Sequence, residues 1–113
     1  MADKGFDLKV LIPTDDGFKL SSQGIEKCKY YLMYNISNRS YQLASKKKFA
    51  DLFETNFNVQ QFIEYLNAEK VDLVLTTIEN NYNFSFEKVD VQEINQVLNY
   101  YIDLIDKKSA NKD

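Results

Sequence analysis

Hydrophobic and polar residues alternate with a period of two along the first part of the chain. Apolar residues at positions 6, 8, 10 and 12 alternate with Asp7 and Lys9, which predicts a β-strand over residues 6–12. Residues 13–17 (PTDDG) have the composition of a tight turn, so we expect a return strand over residues 18–22. Residues 29–36 (KYYLMYNI) and 40–45 flank a polar turn and predict a hairpin. The first half is therefore predicted to be an antiparallel β-meander.

The second half changes to the period of an α-helix. Apolar residues spaced at i, i+3, i+4 and i+7 predict a helix, and they are Val59, Phe62, Ile63 and Leu66. Asn58 precedes this stretch and Gln61 follows three residues later, which resembles a capping box. The apolar residues at 49, 52 and 53 have the same spacing and predict a short helical turn before it.

A strand, a short strand and a second helix are predicted to complete the chain. Residues 71–78 (VDLVLTTI) are nearly all apolar or β-branched, as in a central strand that is covered on both faces. Residues 86–89 predict a short last strand. A helical stripe of apolar residues then extends from 91 to about 107, and Asp90 with Glu93 predicts its start as a second capping pair.

The 113 residues fit one domain, residues 1–113, in which we expect residues 6–107 to be ordered between short polar tails. Crossover connections place the later strands parallel to the first strand, with the helices against the sheet. The predicted fold class is therefore α/β. Its sheet is mixed and five-stranded, the first three strands are antiparallel, and two main helices pack on it.

Charge and composition exclude some classes of partner. The net charge is −3, and the compact basic run Lys46, Lys47 and Lys48 ends a predicted strand, where lysines are typical of a solvated sheet edge. We therefore expect no nucleic-acid partner. No apolar run approaches the length of a membrane span, and no signal-peptide pattern follows residues 1–5. We expect no membrane association and a cytoplasmic location.

Three segments resemble a known family. Residues 9–17 (KVLIPTDDG), 29–34 (KYYLMY) and 71–76 (VDLVLT) are similar, in order and spacing, to the nitrogenase iron-molybdenum cofactor biosynthesis and carrier family. The resemblance extends in layout over residues 8–105. It implies a ribonuclease-H-like fold with the order of elements given above, and a function in binding or carrying a metallocluster.

The chain departs from the family's pattern at positions that would meet a ligand. Where the family has a Ser-x-His-Phe-Gly-like stretch, this chain has residues 22–26 (SQGIE), so it retains Ser22 and lacks the histidine. Residues 53–58 (FETNFN) replace a glycine-rich loop, and residues 76–79 (TTIE) replace glycines that let a backbone approach a ligand closely. We therefore expect no cofactor, and a metallocluster is implied by the resemblance alone.

Two kinds of side chain are candidate metal ligands. Asp15 and Asp16 are adjacent carboxylates at a strand end, but two-metal chemistry needs several converging carboxylates, and turn residues that bond their own backbone explain this pair better. Cys28 is a candidate soft ligand whose pKa the flanking Lys27 and Lys29 would lower. A lone cysteine is more often a small buried hydrophobe.

A small polar pocket is the other candidate site. Thr76, Thr77 and Glu79 follow the central strand, at the position where open α/β sheets bind ligands, and with Asp15 they would line such a pocket. Ser22 joins this set through the resemblance. The same residues also suit the end of a strand and the start of a loop, and the sequence does not separate the two interpretations.

The residue content argues against an enzyme. The chain has no histidine, and no serine, cysteine or lysine has a recognisable catalytic partner. We therefore expect a non-enzymatic binding or carrier-type domain that has lost most of the family's ligand residues. The alternative is a cofactor-free protein-interaction or regulatory domain of the same fold. Its partner would be an unknown protein or a small ligand, and we expect a monomer or a weak dimer.

Overall fold

The computed structural model describes residues 8–54, 56–79, 82–90 and 92–110, with side chains up to residue 107. Its strands are β1 (Leu8–Thr14), β2 (Tyr30–Ile36), β3 (Tyr41–Lys48), β4 (Leu73–Thr76) and β5 (Phe86–Lys88). Its helices are α1 (Phe49–Leu52), α2 (Val59–Ala68) and α3 (Ile94–Ala110), with a short 3₁₀ turn at Gly24–Glu26. The strands form one five-stranded sheet in the order β3-β2-β1-β4-β5.

The sheet is mixed, as the sequence predicts. Strand β1 is antiparallel to β2 along its whole length, and β2 is antiparallel to β3. On the other side of β1, Val10 and Leu11 pair with Leu73 and Val74 of the parallel strand β4. Strand β5 is in turn parallel to β4. The α/β fold class, the antiparallel first three strands and the packed helices are therefore confirmed.

The predicted return strand over residues 18–22 is wrong. Leu20 forms only an isolated bridge with Thr14, and Lys19 forms another with Glu93. The reason is that β1 has neighbours on both sides, β2 and β4, so the returning segment can pair only with its last residue. Strand β3 is longer than predicted, because the lysines at 46–48 continue the strand instead of ending it.

The two helices begin differently from one another. Asn58 Oδ1 accepts a hydrogen bond from Gln61 N at 2.9 Å, so α2 has the predicted N-cap. The Gln61 side chain does not complete a capping box, since its amide donates to Leu52 O at 2.6 Å. Helix α3 begins at Ile94, so the predicted capping pair of Asp90 and Glu93 is wrong. Residue 91, the predicted start, lies outside the described residues.

Alternate side chains of the sheet enter two separate cores. Val10 and Ile12 lie on the face covered by α3, and Leu11 lies on the opposite face, covered by α1 and α2. On the α3 face they pack with buried residues that include Leu98. On the α2 face the largest buried side chains include Tyr31, Phe62 and Leu66. Phe62 and Leu66 of α2 and Leu98 of α3 are fully buried against the sheet, as expected for the apolar faces of the two predicted helices.

Candidate functional site

The carboxyl ends of β1 and β4 lie side by side, and polar side chains meet there. Asp15 follows β1, and its Oδ2 accepts a hydrogen bond from Ser21 Oγ at 3.1 Å. Thr77 follows β4, and its hydroxyl donates to Ser21 O at 2.7 Å. Asp15 Oδ1 also accepts from Lys29 N at 3.0 Å, next to the start of β2. The structure therefore connects Asp15 and Thr77, two predicted site residues, through Ser21.

Asp16 is not part of this group. Its Oδ1 accepts hydrogen bonds from Phe18 N at 2.8 Å and Lys19 N at 3.0 Å. These backbone donors favour the ionised form and lower the pKa of Asp16 below its usual value. The two adjacent carboxylates thus have different partners and do not converge on one point. Asp16 stabilises the turn, which is the interpretation that the sequence favoured.

The sequence analysis selects Ser22, whereas in the structure the neighbouring Ser21 makes the contacts. Ser22 is exposed, whereas Ser21 is 2% exposed and makes the contacts with Asp15 and Thr77. Ser21 Oγ also accepts from Gln23 N at 3.1 Å. Only the family resemblance points to Ser22. The polar run after Leu20 contains no period that distinguishes the two serines.

Thr76, a predicted site residue, lies inside the protein and not on the surface of the site. The residue is fully buried, and its hydroxyl accepts a hydrogen bond from Ile78 N at 3.3 Å. The 3₁₀ turn packs directly on this strand end at Gly24, whose φ is +74°. A Cβ at position 24 would lie 3.3 Å from both Thr76 Oγ1 and Ile78 Cβ. Glycine is therefore needed there both for the backbone conformation and for the close approach.

A crevice opens above this strand end. One part, of about 320 Å³, is lined by Gln23, Gly24, Ile25, Glu26, Ile78, Glu79 and Tyr82. A second part, of about 610 Å³, is lined by Gln23, Glu26, Lys27, Asn56, Phe57, Val59 and Tyr82. Because Gln23, Glu26 and Tyr82 border both parts, the two form one crevice. Glu79 is the predicted site residue that lies on its wall.

A hydrogen bond crosses the middle of the crevice. The Tyr82 hydroxyl donates to Glu26 Oε2, and this bond to a carboxylate raises the pKa of Tyr82. Tyr82 also contacts the rings of Phe57 and Phe86, so an aromatic group forms part of the wall. The sequence contained no signal for Tyr82, because residues 80–85 show no clear period.

Cys28 is outside the crevice and its thiol is not prepared for metal binding. The residue is 6% exposed and belongs to the core on the α2 face. Burial raises its pKa to about 12, mainly because the apolar surroundings disfavour a thiolate. The expectation that Lys27 and Lys29 lower this pKa is wrong, since both lysines are exposed to solvent and desolvation of the thiol dominates.

The residues present do not fit a metallocluster. Such clusters are held mainly by thiolates, with imidazole as the usual alternative. The chain has one cysteine and no histidine. Within residues 8–54, 56–79, 82–90 and 92–110, no three Cys, Asp or Glu side chains are grouped so that they could hold a metal ion. The donor set that the family resemblance implies is therefore not assembled by these residues.

Comparisons with known proteins add no assignment. No protein-family profile and no curated protein matches this chain. Among the described residues, no helix has both the length and the apolar character that crossing a bilayer requires.

Proposed function

We propose that this protein is a non-enzymatic binding domain whose ligand enters the crevice bordered by Gln23, Glu26 and Tyr82. The observation that supports this proposal is the position of the crevice above the carboxyl end of β4. Open α/β sheets bind their ligands outside the carboxyl ends of their strands. Ser21, which contacts Asp15 and Thr77, also accepts a hydrogen bond from Gln23 N and so anchors a residue that borders the crevice.

The lining indicates the chemistry of the ligand. Glu26 and Glu79 contribute carboxylates, and Tyr82 contributes an aromatic ring. Ile78 and Val59 are 44% and 39% exposed, which leaves apolar surface of the crevice available for contact. A ligand with an apolar body and an amine or other hydrogen-bond donor matches the smaller part of the crevice, whereas Lys27 borders the larger part.

The same groups give no support for an enzyme. Ser21 donates to Asp15 and accepts from Gln23 N, but it is 2% exposed and lines neither part of the crevice, so a bound ligand would not reach its hydroxyl. The chain contains no histidine to act as a general acid or base. In this proposal the protein shares the layout of the iron-molybdenum cofactor biosynthesis and carrier family and has a different ligand.

The crevice is tested by screening a library of small amine and aromatic fragments against the ¹⁵N-labelled protein. We expect amide shifts of binding fragments to map to Gln23, Glu26 and Tyr82. The Ile78→Gln variant should lose this binding. The matched control is Leu104→Gln. Leu104 has the same size as Ile78, is 36% exposed and lies on α3. Fragment binding that maps elsewhere, or equal binding to both variants, would refute the crevice as the site.

Cluster binding is tested separately by anaerobic reconstitution with iron and sulfide, followed by desalting. We expect the protein to retain no stoichiometric iron, because one protomer offers a single thiol with a pKa of about 12. A dimer that joins two Cys28 thiols is the route by which a cluster would bind. Stoichiometric iron with visible charge-transfer absorption, absent in Cys28→Ser, would restore the carrier function.

A protein-interaction domain is the second candidate function. Its supporting observation is that the two parts of the crevice each expose one aliphatic side chain, Val59 in the larger part and Ile78 in the smaller, which a side chain of a partner protein could contact. A photo-crosslinking amino acid at position 78 distinguishes the candidates in cells. A single recurrent protein adduct would support the interaction domain, and its absence together with fragment binding would support the small-ligand site.

A further inference from the structure

Strand β3 is the longest strand of the sheet and lies at its edge. It has eight residues, Tyr41–Lys48, and occupies one end of the five-stranded sheet. It pairs with β2 on one side, and on its other side it pairs with no strand in the described part of the chain. Alternate residues of such a strand direct free N–H and C=O groups outward, which makes the edge a template for another extended chain.

A bulge divides this edge into two parts. The β2 pairing passes from Met33↔Ser45 to Tyr34↔Leu43, so Ala44 has no partner. The segment that follows, residues 45–48, is regular and contains the three consecutive lysines. Its register partners on β2 are tyrosines, a leucine and a methionine, so no charge faces the lysines from that strand.

The lysines are arranged around an aromatic surface. Lys46 and Lys48 are exposed and share the sheet face of their partners Leu32 and Tyr30, because directly opposed residues lie on the same side. Lys46 Nζ lies 4.4 Å from the centre of the Tyr30 ring. This cation–π contact holds the ammonium group close to the edge instead of leaving it extended in solvent.

A groove lies at the end of the same edge. It has a volume of about 360 Å³ and is lined by Cys28, Lys29, Tyr30, Lys48, Phe49 and Ala50. Most of its lining is apolar or aromatic, two lysines border it, and it contains no carboxylate. It shares no residue with the crevice of the proposed function, and it is suited to an apolar side chain that has an anionic neighbour.

We propose that the β3 edge binds an extended acidic segment of a partner protein as an additional strand. The main chain of the segment pairs with residues 45–48, its carboxylates lie near Lys46 and Lys48, and one apolar side chain occupies the groove. Main-chain bonds supply affinity in this mode of recognition, and the side-chain contacts supply specificity. The lysines select an acidic segment and disfavour any basic one, because like charges opposed across strands repel.

The charge requirement is tested by fluorescence anisotropy with two labelled peptides. One alternates Asp or Glu with Val or Phe, and the other has Lys in place of the acids. We expect the acidic peptide to bind and the Lys46→Glu/Lys48→Glu variant to bind it about tenfold more weakly, a change of about 1.4 kcal/mol. The variant Lys70→Glu/Lys88→Glu has the same net charge, is altered at exposed sites outside β3, after α2 and on β5, and should bind normally. Equal losses in both variants would overturn the proposal.

Strand addition is separated from general anion binding by N-methylation of the acidic peptide. The backbone N–H groups of the bound peptide point alternately towards β3 and away from it, so methylating every second residue removes one of these two sets. The peptide that lacks the N–H groups facing β3 should lose binding, and the peptide that lacks the other set should retain it. The amides of β3 that face outward should also gain protection from hydrogen exchange. Equal binding of both methylated peptides, or complete displacement of the peptide by polyuridylate, would show an unspecific anionic contact and overturn the proposal.

Discussion

Tyr31 links the sheet to the turn that borders the crevice, and removing its hydroxyl tests this link. The side chain is fully buried on the α2 face. Its hydroxyl donates to Ile25 O at 2.5 Å, within the 3₁₀ turn. The ring also packs against four aromatic rings at centroid distances of 5.2 to 6.5 Å, those of Phe49, Phe53, Phe62 and Tyr65.

The change Tyr31→Phe removes one hydroxyl and leaves the ring in place. The apolar contacts are therefore retained, and the loss is confined to the hydrogen bond. Ile25 is 1% exposed, so water does not readily replace the lost donor at its carbonyl. Leaving a buried polar group without its partner costs about 1–3 kcal/mol. The change Tyr31→Ala would also leave a cavity and should cost about 3–5 kcal/mol, as for other aromatic residues.

Urea unfolding followed by far-ultraviolet circular dichroism measures the effect. With a slope of about 1–3 kcal/mol per molar urea, a loss of about 2 kcal/mol moves the midpoint down by about 1 M. The control is Tyr100→Phe, because Tyr100 is 57% exposed and its change should stay within about 0.5 kcal/mol. A Tyr31→Phe protein as stable as this control would refute the hydroxyl link between β2 and the turn.

The remaining predictions concern the two cores and the pH dependence of stability. Truncating Phe62, Leu66 or Leu98 to Ala should cost about 2–5 kcal/mol in urea unfolding, and surface-like losses at all three would show that the helix faces are assigned wrongly. The Cys28 pKa is about 12 in the folded protein against an ordinary value of 9.0. The contribution of this thiol to the free energy of unfolding is therefore fully present below pH 9, and it should be lost as the pH rises towards 12. Cys28→Ala should make this decline shallower, and an unchanged slope would contradict it. The pKa of Asp16 is lowered from 3.8, so its stabilisation is present above that pH and lost below it, and acid titration of Asp16→Asn should lack this component.

The periods of the sequence predicted the elements well where a local pattern decides them. Helix α2 starts at Val59 as predicted, because Asn58 caps it and its apolar residues keep one helical face. The predicted strands β1, β2, β4 and β5 were also found, since alternation or a continuous apolar run reports directly on burial. The observed ends of elements differ from the predicted ends where tertiary contacts compete with the local pattern. Strand β3, for example, extends through its lysines to Lys48.

The structure brings together some of the residues that the sequence singles out and separates others. Asp15 and Thr77 come together through Ser21 because they follow the parallel neighbouring strands β1 and β4, but neither residue lines the crevice. The choice between Ser21 and Ser22 depended on which side chain turns inward after an isolated bridge, and no local pattern encodes that. Tyr82 reaches the crevice from a segment without a period, through its bond to Glu26, which is 56 positions away in the chain.

The sequence by itself determined the α/β class, the places of the five strands and the two main helices, and the apolar face of each helix, because these follow from periodic burial of side chains along each element. It also determined that the chain has one thiol and no imidazole. Only the tertiary structure decided that residues 18–22 form no strand, that Cys28 is a buried thiol and that the crevice is bordered by Glu26 and Tyr82. These features depend on which distant segments occupy the edges of β1 and the end of β4, and that information lies in the packing between elements.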